Sequence, residues 1–312
     1  MNSKIISDYL RKRAVKNTWE FLTKPKKSNY RFFIIIPACN ELEDLPNTLN
    51  SIKNQNVDLL KNTLVVIIVN NPKNVEANVI INNQKLLEDL RTARFPFDTG
   101  LIDASSPSLV LPEKYAGVGL ARRIGMDLSL HFAESNSLFC CLDADSPISP
   151  DYLKSIDLYF EHDHPSAAVV GFRHQTSNDP DIERSIRVYE SFLKTTAEKL
   201  WLAGSPYGYT AVGSTIICFA ESYAAVGGMP RKKAGEDFYF LQELVKYQGV
   251  DNIKKILVYP SPRLSDRVHL GTGVRMKQAK DGLDLNSLFF KESAFDILKD
   301  WLNIGSGAFD CN

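Results

Sequence analysis

Leu138-Phe139-Cys140-Cys141-Leu142-Asp143-Ala144-Asp145, followed by Ser146-Pro147, is the stretch on which the fold turns. A short apolar run of small and aromatic residues, bounded by Ser-Pro punctuation, has the pattern of a strand buried on both faces, as in a parallel sheet. An ionised carboxylate cannot continue into that interior without a partner. The strand is therefore expected to stop at Asp143 and to present Asp143 and Asp145 at the carboxyl edge of a sheet, where open α/β sheets bind their ligands. Two acids there are half of a divalent cation site.

The same spacing recurs at Asp179-Pro180-Asp181, but it follows the polar Thr176-Ser177-Asn178 and precedes a helical pattern opening near Ile182. Those acids are expected to cap a helix and complement its dipole. Only the first pair has a buried strand in front of it.

At 312 residues and 44% hydrophobic content, the chain has enough apolar surface for a full core without disulfides or structural metals. Its 37 basic and 37 acidic side chains cancel, so no global field favours nucleic acid as a partner. Residues 1–29 read as a basic, partly helical arm: Lys4, Arg11, Lys12, Arg13, Lys16, Lys24, Lys26 and Lys27 face only Asp8 and Glu20. Such an arm is either simply solvated or makes peripheral contact with an anionic membrane face. Cys39, Cys140, Cys141, Cys218 and Cys311 show no CxxC spacing, which fits a reducing cytoplasm. No apolar stretch approaches the roughly eighteen residues of a bilayer span, and the first thirty residues are too charged for a signal peptide.

Period and punctuation predict strands at 30–37, 64–69, 101–103 and 138–143, with helices at 41–53, 75–90 and from Gly119 to about 132 between them. That alternation indicates a parallel, Rossmann-like sheet with right-handed crossovers over residues 30–150. Over 151–312 the pattern loosens into a mixed half. Helices are expected near 151–161, 182–202, 236–247 and 285–302, and strands at 167–172, 215–219 and 256–259. No flexible spacer separates the halves, so one domain with a parallel first half and a mixed second half is expected.

In order, these motifs resemble the family 2 glycosyltransferases of the GT-A fold. Pro37-Ala38-Cys39-Asn40-Glu41 is similar to the family's opening P-x-x-N-E, and Gly117-Val118-Gly119-Leu120-Ala121-Arg122 to the helix start that precedes its metal strand. Asp143-Ala144-Asp145 resembles the D-x-D motif, Gly227-Gly228-Met229 the G-G-hydrophobic turn, and Gly235-Glu236-Asp237 the E-D pair. The likeness covers about residues 31–270. Asn70-Asn71-Pro72 stands where the family carries an acid that helps read the base, and Arg263 to His269 replaces the Q-x-x-R-W of processive synthases.

The resemblance implies a metal-dependent, inverting transfer of a sugar from a UDP- or GDP-linked donor to a carbohydrate, lipid-linked or small-molecule acceptor. Mn²⁺ or Mg²⁺ would be held by Asp145 and Asp143, with His269 a candidate third ligand or else a structural histidine. Pro37, Ala38, Asn40, Glu41 and Asn70 would border the nucleotide. Arg122, at a helix start, and Arg267 would flank the diphosphate, with Lys114 a weaker candidate. Asp237 would be the catalytic base and Glu236 its orienting neighbour, the bland alternative being that both acids cap the helix behind them. Tyr207, Tyr209 and Trp201 could offer aromatic faces to an acceptor. A sugar nucleotidyltransferase and a non-catalytic nucleotide-sugar binder stay open as alternatives. The first would need a glycine-rich segment directly after the opening strand.

Overall fold

In the computed structural model, which describes residues 3–16, 18–265 and 271–309, the chain runs α1 (Lys4–Lys12), β1 (Phe21–Thr23), β2 (Tyr30–Ala38), α2 (Leu45–Lys53), α3 (Val57–Leu60), β3 (Thr63–Asn70), α4 (Ala77–Thr92) and β4 (Asp98–Ala104). It continues through α5 (Val118–Ser129), β5 (Ala133–Cys141), α6 (Tyr152–His162), β6 (Ala167–Phe172), α7 (Pro180–Leu202), β7 (Ile216–Phe219) and α8 (Ala220–Ala225). The last elements are α9 (Glu236–Gln248), β8 (Asp251–Val258), α10 (Thr272–Lys280) and α11 (Glu292–Phe309).

Among the described residues, eight strands share one sheet in the order β1-β4-β3-β2-β5-β7-β6-β8. β2 pairs in parallel with both β3 and β5, and β3 with β4. The chain winds outward from β2 to β4, then returns to place β5 on the other side of β2. That reversal opens a crevice at the carboxyl ends of β2 and β5, the position at which this class of sheet binds ligands. β7 runs antiparallel to β5 and β6, so the later half is mixed, as expected.

Alternation along β2 builds a core on each face. Phe33 and Ile35 pack with the α5, α8 and α9 side. Phe32, Ile34 and Ile36 pack with the α2, α4 and α6 side. All five side chains are fully buried, which explains an unbroken apolar run in place of a hydrophobic-polar alternation.

Several boundaries differ from expectation. The helix expected from Glu41 begins at Leu45: Asn40 has a φ of 60°, and Glu41 and Asp44 both turn toward Arg263. β5 starts five residues early and ends at Cys141, because Ser146 N–H donates to Asp143 O at 3.1 Å and turns the chain just beyond. β8 begins at Asp251, its exposed lysines 254 and 255 having hidden the strand pattern. The solvated arm is also corrected. α1 docks, with Ile6 and Tyr9 buried and Tyr9 Oη donating to Asp127 at 2.7 Å. Asp179 does cap α7, accepting from the N–H groups of Asp181 and Ile182. Among the described residues, no helix is long and apolar enough to cross a membrane.

Candidate active site

The turn after β5 is tied down from several sides. Leu142 N–H still donates to Ile35 O at 3.0 Å, continuing the parallel ladder one residue past the strand. Thr48 Oγ1 donates to Ala144 O and Gln175 Nε2 to Asp145 O, each at 2.8 Å. Ala144 is buried, while the carboxylates on either side of it face different partners.

Asp143 faces Arg122. The Arg122 side chain is 2% exposed and donates from one terminal nitrogen to Asp143 Oδ1 and from the other to Glu236 Oε1, the latter at 2.5 Å. This single guanidinium joins the β5 turn to the start of α9. Burial works against the charge on Arg122, but Asp143 and Glu236 outweigh it and raise its proton affinity. Close approach requires small residues around it. A Cβ on Gly213 would lie 2.6 Å from the guanidinium, and one on Gly119 would lie 2.7 Å from Pro230 O and 2.8 Å from Glu236 Cβ.

Asp145 faces Arg263, whose Nε reaches Asp145 Oδ2 at 2.9 Å. The same guanidinium donates to Glu41 Oε1 at 2.5 Å and to Asp44. Burial is the largest influence on Asp145 and pushes its carboxyl up to about 7. Arg263 opposes that rise, and Asp143, Glu41 and Asp44 add to it. Acids therefore outnumber the cations here. Glu41, Asp44, Asp143, Asp145, Glu236 and Asp237 gather around Arg122 and Arg263.

Glu236 and Asp237 open α9 behind Gly235, which takes the left-handed conformation at φ 71°. Neither side chain caps the helix in the usual way. Glu236 is spent on Arg122, and Asp237 Oδ1 accepts from the N–H of Phe238, at 2.8 Å. Burial is the chief cause raising the proton affinity of both carboxyls, with Arg122 pulling the other way.

The edges of β2, β3 and β4 complete this rim. Pro37 and Ala38 end β2, and Asn70 ends β3 with its Nδ2 donating to Ala38 O at 3.3 Å and Ile68 O at 3.0 Å. Buried Asn83 accepts from Asn40 N–H at 2.9 Å and donates to Asn71 Oδ1 at 2.8 Å, holding the Asn40 turn beside the β3 end. Asp103, at the end of β4, is opposed by burial, but hydrogen bonds from Ser105 and Ser106 prevail and hold its carboxyl low.

The expected site residues thus fall into two connected groups. Asp143, Arg122, Glu236 and Asp237 form one, and Asp145 and Glu41 form the other through Arg263. Arg263 and Asp44 were not anticipated, since Arg263 and its partners Glu41 and Asp44 lie 222 and 219 positions apart in the chain. Arg122 sits in the second turn of α5, away from the free N–H groups of the helix start. Tyr209 is buried and offers no face to an acceptor, whereas Trp201 is exposed. Arg267 and His269 lie outside the described residues. A polar cleft of about 360 Å³ opens beside Asp145, lined by Gln175, Thr176, Asn178, Pro262 and Arg263. A second, more apolar hollow lies between α2 and α4, lined by Leu45, Leu49, Leu86 and Phe95.

Among the described residues, no three His, Cys, Asp or Glu side chains converge to cage a metal ion. A closed structural metal site is therefore not formed by them. The excess of acids over cations suits an ion of the Mg²⁺ or Mn²⁺ type, which needs only one or two protein carboxylates and fills its other positions with phosphate and water.

No protein-family model and no curated protein sequence matches this chain. Among solved structures, it is similar to residues 1–349 of TarS from S. aureus in complex with UDP-GlcNAc, at 13% identity and a TM-score of 0.53, over 86% of this chain and 70% of that one. It is also similar to a longer structure of S. aureus TarS at 15% identity and a TM-score of 0.52, over 78% of this chain and 41% of that one. A mannosyltransferase, PcManGT from Pyrobaculum calidifontis in complex with GDP-Man and Mn²⁺, matches at 14% identity and a TM-score of 0.47, over 84% of this chain and 63% of that one. At such identities the first two likenesses are of fold. Together with the sheet order and its flanking helices, they show that the chain has the GT-A fold of nucleotide-diphospho-sugar glycosyltransferases.

Proposed function

We propose that this protein is a metal-dependent, inverting glycosyltransferase of family 2, which moves a sugar from a UDP- or GDP-linked donor to an acceptor hydroxyl in one displacement. The observation that carries this reading is the Arg122 bridge. It brings the acidic turn of β5 and the Glu236-Asp237 pair to one place at the ligand-binding edge of a GT-A sheet.

On this reading, the donor lies over the carboxyl ends of β2, β3 and β5, against Pro37, Ala38, Asn40 and Asn70. Asp145 and Asp143 would hold Mn²⁺ or Mg²⁺, with Glu41 and Arg263 setting the charge around Asp145. When bound, the ion supplies Lewis-acid stabilisation of the departing diphosphate. Asp237 takes the proton from the attacking hydroxyl. Its Oδ1 is held by Phe238 N–H, leaving Oδ2 to receive the proton, and its raised proton affinity brings it nearer to neutral working pH. Arg122 fixes Glu236 and so fixes the helix start that aims Asp237.

We further place the protein in the cytoplasm, supported by the buried Cys140, Cys141 and Cys218, which form no disulfide among the described residues. The exposed Lys4, Arg11 and Lys12 of α1 support peripheral contact at the inner membrane face.

The test is release of nucleotide from UDP-GlcNAc and GDP-mannose, with Mn²⁺ and then with chelator. A metal-dependent transferase releases nucleotide slowly to water in the first condition and stops in the second. A pure binder releases none in either, and release unaffected by chelator contradicts the metal assignment.

A further inference from the structure

Immediately before the Glu236-Asp237 pair runs Arg231-Lys232-Lys233, three adjacent cations that are all exposed. Among the described residues, none of the three is ion-paired with a carboxylate. In a chain whose charges cancel overall, this is a concentrated positive patch beside the proposed base.

The loop that carries it is firmly seated. Gly227 and Gly228 turn with φ near 88° and 80°, and a Cβ on Gly228 would meet Tyr9 Oη at 2.0 Å. Arg123 donates to Gly227 O at 3.2 Å and to Met229 O at 2.8 Å, and Met229 itself is fully buried. Further along, a Cβ on Gly117 would lie 2.8 Å from Lys233 O, so the backbone of the patch rests directly on the start of α5. The cations are thus presented from a fixed backbone.

A second feature adjoins them. Phe238 and Tyr239, the residues directly after Asp237, are 47% and 42% exposed. Their rings meet edge to face at 5.4 Å, and Lys232 Nζ stands 3.5 Å from the centre of the Tyr239 ring. Exposed aromatic faces stack on the C–H faces of sugars, while Lys and Arg recognise phosphate by charge-assisted hydrogen bonds. Lys232 already lies over the Tyr239 ring, and an anionic group on the acceptor would give Arg231 and Lys233 a partner as well.

We propose that Arg231, Lys232 and Lys233, together with Phe238 and Tyr239, form the acceptor subsite, and that the acceptor is a carbohydrate bearing phosphate. This rests on the transferase reading, which puts the acceptor next to Asp237. The phosphate of the acceptor pairs with the cationic loop and its sugar ring lies on the aromatic pair, bringing a hydroxyl to Asp237. The donor diphosphate sits apart, on the Asp143 and Asp145 side of the Arg122 bridge.

The test is titration of the full chain, wild type and Arg231→Gln/Lys232→Gln/Lys233→Gln, with glucose 6-phosphate, with glucose and with UDP-GlcNAc plus Mn²⁺. Wild type should bind glucose 6-phosphate at least about tenfold more tightly than glucose, an advantage that weakens as salt screens the charges. The triple variant should lose that advantage while keeping its affinity for UDP-GlcNAc. Equal binding of the two sugars by wild type overturns the proposal, as does an advantage that survives in the variant. A fall in UDP-GlcNAc affinity in the variant also overturns it, by assigning the cations to the donor. If wild type shows the phosphate preference but binds neither UDP-GlcNAc nor GDP-mannose, the transferase reading fails and the acceptor assignment falls with it, whereas donor binding without a phosphate preference sinks the subsite alone.

Discussion

Arg122 and Glu236 stand 114 positions apart in the chain and form a 2.5 Å ion pair in which both side chains are almost wholly buried. Removing one partner of such a pair strands the other charge in a poor solvent, a loss of about 3–5 kcal/mol. Arg122→Met should therefore cost about that much in urea unfolding, since it strands Glu236 and weakens the hold on Asp143. The double variant Arg122→Met/Glu236→Gln should regain a large part of the loss. Equal instability of the single and double variants would show that the pair is not the seat of the effect.

In the proposed reaction Asp237 is the base, and its Oδ1 accepts from the Phe238 N–H. Asp237→Asn keeps the shape and one hydrogen-bonding oxygen but cannot take a proton. Transfer should fall by a factor on the order of a hundred or more, with donor affinity unchanged. Steady-state rates and nucleotide titration on the same preparation check this, and wild-type turnover would remove Asp237 as the base.

Away from the site, Glu190 on α7 takes hydrogen bonds from His174 N–H at 2.8 Å and from Lys194 Nζ at 2.6 Å. Burial alone would raise its carboxyl, yet the bonds from His174 and Lys194 prevail and hold it down at about 2, against an ordinary 4.5. A carboxyl lowered on folding adds stability above its unfolded value and loses it as pH falls through the folded one. The contribution of Glu190 should be full above about pH 4.5 and gone near pH 2. Glu190→Gln should be less stable than wild type by about 3 kcal/mol at neutral pH, with the gap closing over that window. A gap independent of pH would mean that lost packing, and no charge effect, explains the variant.

Much of this molecule was legible in its sequence because its signals are local. The all-apolar runs at 32–36 and 138–142 could only be strands with both faces covered, and charge had to appear where they ended. Glu236-Asp237 at a helix start after a glycine was equally plain. Hidden features depend on partners far away in the chain. α1 looked like a solvated basic arm because Lys4, Arg11 and Lys12 outnumber the two inward residues, Ile6 and Tyr9, whose burial rests on Tyr9 reaching Asp127, 118 positions away. Arg263 carried no local mark at all, and only folding shows that it meets Glu41, Asp44 and Asp145. One partial signal for the buried Arg122 was present in Gly117, Gly119 and Gly125, small residues along the same helix that allow close approach.

The central claim, that Asp143 and Asp145 mark a cation-assisted nucleotide-sugar site, is tested most directly by calorimetric titration of UDP-GlcNAc and GDP-mannose into wild type and Asp145→Ala, each with Mn²⁺ and with chelator. Wild type should bind one of the two donors far more tightly with Mn²⁺ than without it, and Asp145→Ala should bind weakly and alike in both conditions while unfolding no more easily than wild type. Undiminished Mn²⁺-dependent affinity in Asp145→Ala would contradict the account.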